Sequence, residues 1–131
     1  MGKQIIDPGW AWTKTFQYSQ AIRAGHLIIL AGQVSVDDEG NLVGPGDIKT
    51  QTRRIFENIR TVLAAAGSGL DDVVEIISYH VDMRDLPKVA EVKSEFLRKD
   101  FPAWTAVGVT SLAFPGYLLE IKATALARDG R

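Results

Sequence analysis

Cysteine is absent from the 131 residues. That excludes disulfides, thiolate nucleophiles and zinc–thiolate sites, and says nothing firm about redox compartment. Histidine occurs only at His26 and His80, and no carboxylate stands at a spacing that would complete a two-histidine metal site. Apolar runs are short: none reaches the roughly 18 residues that a membrane span requires. Residues Met1 to Pro8 also lack the apolar run of a secretory signal. A cytoplasmic protein without membrane contact is the expectation. Surplus positive charge is missing as well, with 15 basic and 16 acidic side chains giving a net charge of −1. Phosphate binding draws on basic excess on one face, so no nucleic-acid partner is expected. The glycine-rich dinucleotide fingerprint, the Walker loop and the His-Glu-x-x-His zinc motif do not occur. Ser35, Ser68 and Ser78 lack the context of a nucleophile elbow. Asp37-Asp38-Glu39 lacks the ligand spacing of a calcium loop and reads as a hairpin turn.

What is present is a patterned chain with 46% hydrophobic residues, long enough to bury a core and read as one domain over 1–131. Leu27 to Ala31 forms a short apolar run between Gly25 and Gly32 and is read as a central strand, with Tyr18 to Ala24 as its antiparallel neighbour. Asp47 offers an N-cap to a helix in which Ile55, Ile59, Val62 and Ala66 recur at helical spacing, widened by Phe56 and Leu63 and closed by Gly67. Gln51, Arg53, Arg54, Glu57 and Arg60 mostly occupy its remaining surface. Val73 to Val81 is β-branched enough for a strand. A second helix carries Val89, Val92, Lys93 and Phe96 on one side, and strands follow at Trp104–Thr110 and Tyr117–Leu126. The tail Arg128 to Arg131 is expected to fray. The order is β-β-α-β-α-β-β, with room for a short strand at the start. A mixed sheet with both helices on one face is the economical α/β (α+β) solution. It leaves a half-polar sheet face uncovered, which implies association between copies.

Several polar residues fall in strands or tight turns: Tyr18, Gly32, Gln33, Thr105 and Glu120. Glu120, between Leu119 and Ile121, belongs either to an exposed face or to a polar pocket. His26 reads as a surface turn residue and His80 as a structural one. Arg53, Arg54 and Arg60 form the densest basic cluster, read as a solvated or ion-paired face in preference to an anion site.

The stretches Tyr18-Ser19-Gln20-Ala21, Ala31-Gly32-Gln33-Val34, Glu57-Asn58-Ile59 and Leu63-Ala64-Ala65-Ala66-Gly67 carry a family pattern. So do Asp72-Val73-Val74, Phe101-Pro102-Ala103 and Leu119-Glu120-Ile121-Lys122-Ala123. In order and spacing, from Ile5 to Ala127, they resemble the RidA (YjgF/YER057c/UK114) family. The resemblance implies a chorismate-mutase-like (bacillus type) domain that forms a barrel-like homotrimer with helices outside and inter-subunit clefts for small carboxylates. It also implies hydrolysis of reactive enamines and imines, such as 2-aminoacrylate and its imine, to ammonia and a 2-keto acid without a cofactor. Tyr18 would line the cleft, the Gly32 backbone would lie beside the ligand, and Glu120 would activate water.

The pattern departs at one point. The family arginine that clamps the substrate carboxylate corresponds to Trp104, the cysteine two residues on to Ala106, and an asparagine of the second helix to Ala90. An indole offers one N–H and an apolar face where guanidinium offers a charged fork. Trp104, Thr105 and Ala106 are therefore expected on the wall of a cleft for a flatter or more aromatic small molecule. Three functions compete: an enamine/imine deaminase, a non-catalytic metabolite-binding or chaperone-like trimer, and the ribonuclease activity attached to the family name. The near-neutral charge and the lack of a histidine pair weigh against the last.

Overall fold

The computed structural model describes residues 2–128. Six strands, β1 (Gln4–Ile6), β2 (Ala21–Ala24), β3 (Leu27–Leu30), β4 (Val73–His80), β5 (Ala103–Gly108) and β6 (Leu119–Leu126), join two helices, α1 (Ile48–Ala65) and α2 (Leu86–Phe96). The sheet order is β1-β2-β3-β6-β4-β5, antiparallel throughout except for the parallel pair β4–β5. Because β3 and β4 both run antiparallel to β6, they run parallel to each other. The links β3-α1-β4 and β4-α2-β5 are therefore crossovers that advance across the sheet in the same direction, and one handedness puts both helices on one face.

Local chemistry agrees with this layout. Asp47 caps α1, its carboxylate accepting from the Thr50 N–H at 3.1 Å and the Thr50 hydroxyl at 2.8 Å. Gly67, at φ 72°, ends the helix, with the Ser68 N–H bonded to Leu63 and the Gly67 N–H to Ala64. The core forms where Ile55, Phe56, Ile59, Val62 and Leu63 of α1 meet Ile28, Leu30, Ile76, Leu119 and Ile121 of the sheet. On β6 the small Ala123 and Ala125 continue the buried row, and Glu120, Lys122 and Thr124 alternate onto the opposite, helix-free face. Between the helices lie the ion pairs Lys49–Glu91 and Arg53–Glu95 and a stacked Phe56–Phe96 pair at 5.3 Å. Arg54 pairs with Asp38 and Arg60 lies over Phe96, so the basic cluster is engaged within the chain.

Two expectations need correction. The sheet does not close into a barrel, and the chorismate-mutase-like barrel architecture does not hold: β1 and β5 are edges, and among the described residues neither has a second neighbour. Closure requires the edge strands to pair, and β1 is only three residues long. Gln51, assigned to the helix surface, is fully buried. Of the tail expected to fray, Arg128 is ion-paired with Asp72, and the rest lies outside the described residues. No helix among the described residues is long and apolar enough to cross a membrane.

Candidate functional site

The site begins with an irregularity in β3. Gln33 pairs with Ile121 through both backbone bonds, at 2.8 and 3.0 Å, one residue out of step with the β3–β6 register. The extra residue bulges the chain at Ala31–Gly32, and the Leu30 carbonyl accepts instead from the Lys122 ammonium at 3.0 Å. Glu120 fills the space so opened. A Cβ on Gly32 would fall 2.0 Å from Glu120 Oε2 and 2.7 Å from its Cδ. Glycine thus leaves room for the carboxylate to lie beside it, and no left-handed φ is involved. Among the described residues, the Gly32 N–H makes no hydrogen bond.

A cavity of about 690 Å³ opens on these two residues. Trp12, Phe16 and Tyr18 wall it from the segment before β2, and Phe114 and Tyr117 from the loop before β6. Phe16 and Phe114 meet edge to face at 5.8 Å, and Phe114 and Tyr117 do so at 5.7 Å. Tyr18 follows a 3-10 turn over Ala11–Phe16 that Gln17 terminates at φ 56°. Its phenol oxygen accepts from the Gln20 amide at 3.2 Å, which leaves its own proton to donate. Gln20 also donates to Thr13 at 2.9 Å and accepts from the Gln33 amide at 2.8 Å. Both glutamines are buried, so this chain of amides fixes Tyr18 against the bulge.

Burial raises the Glu120 carboxyl above the ordinary glutamate range, and no hydrogen bond or ion pair from the described residues opposes it. Burial also raises Tyr18, against the Gln20 hydrogen bond, and Tyr117, and the charge of Glu120 raises both further. The result is a half-buried carboxylate with an elevated proton affinity, facing an aromatic-walled space. Such a group is a better proton acceptor than an exposed glutamate and can take a proton from water and return it.

Buried polar residues of α1 hold both walls. The Gln51 amide donates to the carbonyls of Gly44 and Gly116, each at 3.0 Å, and its oxygen accepts from the Leu118 N–H at 3.0 Å. Asn58 donates to the carbonyls of Val34 at 3.2 Å and Val36 at 2.9 Å. These positioning residues, and the aromatic walls other than Tyr18, were not among the sequence-derived candidates. Gln51 had a signal: it stands four residues before Ile55, on the stripe that helical spacing buries.

Of the sequence-derived site residues, Tyr18, Gly32 and Glu120 line the cavity together. Trp104, Thr105 and Ala106 do not. They lie on β5, the far edge strand, separated from β3 by β6 and β4. Trp104 shares the helix face with its register partner Ile76, donates its indole N–H to Ser78 Oγ at 2.8 Å, and packs beneath the Lys93 ammonium, 4.9 Å from the ring centroid. Ser78 Oγ also contacts His80 Nε2 at 2.7 Å, and His80 is buried, in keeping with a structural residue. His26 is exposed in the β2–β3 turn. Among the described residues, no group of three or more His, Cys, Asp or Glu could hold a metal ion.

The endoribonuclease L-PSP family model matches residues 11–127. A RutC family protein of Pyrococcus abyssi is 41% identical over 125 residues, covering 95% of this chain and 98% of its own. A 2-iminobutanoate/2-iminopropanoate deaminase of Dermatophagoides farinae is 32% identical over 110 residues, covering 84% and 86%. The crystal structure of a YjgF/YER057c/UK114 family member from Mycobacterium tuberculosis superposes with a TM-score of 0.84 at 32% identity, over 96% of this chain and 100% of that one. The fold is therefore that of RidA and endoribonuclease L-PSP proteins, a mixed sheet with two helices, in place of the chorismate-mutase-like fold expected. With matches over nearly its whole length, the chain belongs to the RidA/YjgF/YER057c/UK114 family, the family of the endoribonuclease L-PSP model.

Proposed function

We propose that the chain is a cofactor-free hydrolytic deaminase acting on reactive enamines or imines, with Glu120 as the acid–base group. The observation that carries this reading is the half-buried Glu120 carboxylate, without a partner among the described residues and facing the cavity beside Gly32. Glu120 takes a proton from water as the water oxygen bonds to the carbon of the protonated imine. It then delivers that proton to the amine nitrogen, and the C–N bond breaks with its electron pair going to the departing ammonia. The hydroxyl proton passes to the Glu120 carboxylate, and from there to ammonia, as the carbonyl forms. The Tyr18 O–H and the Gly32 N–H donate to the bound ligand. Support comes from a relative whose name records imine deamination, at 32% identity.

The same proposal takes the whole chain as one cytoplasmic domain that forms trimers with the cavity near a subunit contact. Trp104 stands where the family pattern places its carboxylate-clamping arginine, and its indole, held on the helix face by Ser78 and Lys93, does not take over that clamp. A second reading, a metabolite-binding protein without turnover, is favoured by a cavity lining that holds no Lys or Arg among the described residues.

Ammonia release decides between them. Two freshly generated imines are supplied: 2-iminopropanoate, formed from 2-aminoacrylate by a serine dehydratase, and phenylmethanimine, formed by an amine oxidase. Acceleration of either, abolished in Glu120→Ala, is the expected outcome. If neither is accelerated the hydrolase reading fails, and an undiminished rate in Glu120→Ala removes the role given to that residue.

A further inference from the structure

The cavity lining combines two features that point to a particular charge on its ligand. Five aromatic side chains, Trp12, Phe16, Tyr18, Phe114 and Tyr117, form its walls, and its charged residues are Glu39 and Glu120. The ammonium of Lys122, on the same sheet face, is turned to the Leu30 carbonyl and is not part of the lining. Aromatic faces carry negative quadrupole, and an organic cation against them gains more as water is excluded. A carboxylate that is partly desolvated and lacks a counter-ion gains from a cation in the same way and repels an anion.

From this lining we infer that the cavity selects organic cations bearing an aromatic or branched apolar group, such as protonated imines and amines, over small carboxylates of the same size. The inference rests on the reading of this cavity as the reactive site and names its substrate class: iminium ions without a carboxylate. For such a substrate the reaction balances as R₂C=NH₂⁺ + H₂O → R₂C=O + NH₄⁺. One positive charge is carried from the iminium to the departing ammonium, so the Glu120 carboxylate and the aromatic walls face a cation at both ends of the reaction.

Three probes matched in shape test this without turnover. The full chain at pH 7 and low salt is titrated with benzyltrimethylammonium, benzyl alcohol and benzoate, followed by calorimetry and by fluorescence of its tryptophans. Benzyltrimethylammonium is expected to bind at least about tenfold more tightly than benzyl alcohol, with benzoate weakest. In Glu120→Gln the cation is expected to fall to the level of the alcohol. Benzoate binding as tightly as the cation overturns the inference, as does a cation preference that survives in Glu120→Gln, or no binding of any probe at millimolar concentration. The wild-type comparison decides the matter even if the substitution disturbs folding. Cation selectivity without ammonia release from either imine would end the hydrolase reading and leave the selectivity standing. Ammonia release with benzoate preferred would do the reverse.

Discussion

At the scale of single residues the site turns on one contact, that between Gly32 and the Glu120 carboxylate. A methyl group at Gly32 would overlap Oε2 and Cδ of Glu120, so the flexible end of that side chain must move aside. The backbone at Gly32 is not left-handed, so alanine brings little strain of its own. Gly32→Ala is therefore expected to lower stability by less than about 1 kcal/mol while reducing kcat/KM at least about a hundredfold, because the base is misplaced. Thermal melts beside ammonia-release kinetics check this, and unchanged turnover would show that the carboxylate does not act from its observed place. Glu120→Gln separates function from stability through pH. The folded-state pKa is raised by burial, so between the unfolded and folded values the native chain binds more protons, and stability falls as pH rises through that window. Above it, Glu120 carries a desolvation cost that glutamine lacks. The exposure left to the group limits the gain, and Glu120→Gln is expected to be more stable at pH 7 by at most about 1 kcal/mol. At pH values below the ordinary glutamate pKa, near 4, the difference should vanish. Chemical denaturation at both pH values tests the sign, and a destabilised variant at pH 7 would contradict it.

At the scale of elements, some of this was legible in the sequence and some was not, for physical reasons. The inward row Leu119, Ile121, Ala123 and Ala125 and the outward Glu120, Lys122 and Thr124 follow from the two-residue period of a strand. The stripe of α1 follows equally from its 3.6-residue period. Local period says nothing about which strands become neighbours, and so the placement of β5 at the far edge, away from Gly32, escaped it. The polar members of the buried stripe also escaped, because residue type argued for the surface while position argued for the core. Gln51 shows which consideration wins when partners exist: three backbone groups from two loops converge on one amide. Gln51→Leu keeps the volume and removes all three bonds, leaving the carbonyls of Gly44 and Gly116 and the Leu118 N–H to find water. A loss of about 2–3 kcal/mol is expected, together with weaker ligand binding, since the Gly116–Leu118 segment carries Tyr117 into the cavity wall. Urea denaturation and the benzyltrimethylammonium titration read the two effects. A variant as stable as wild type would mean that these loops are held by something else.

At the scale of the whole molecule, the helix-free face of the sheet is the surface on which the proposed trimer would form. Antiparallel register aligns Ile5, Ile22 and Ile29 across β1, β2 and β3, and at the other side Val107 stands beside Tyr79, which pairs with Glu120. Ile5 is 60% exposed and Val107 36%, so apolar groups on one broad face meet water in the single chain, whereas helices cover the other face. A face of this kind is the ordinary substrate of symmetric association, and Glu120 lies on it. That couples assembly to function in the proposed trimer: a neighbour that covers the face also dries the mouth of the cavity. Val107 is outside the cavity lining, which makes it a probe of assembly with little direct effect on the site. Wild-type protein is expected to run at about three times its chain mass of 14.4 kDa in light scattering. Val107→Asp would place an unpaired charge in the contact, at a cost of about 3 kcal/mol or more for each copy, enough to move the mass toward that of one chain at micromolar concentration. Val107→Thr, which keeps the shape, should stay assembled. If activity falls with the mass in Val107→Asp and holds in Val107→Thr, the neighbour helps to complete the site. A wild-type mass of one chain would remove the assembly altogether, and a dissociated variant at full activity would show that each chain carries a sufficient site alone.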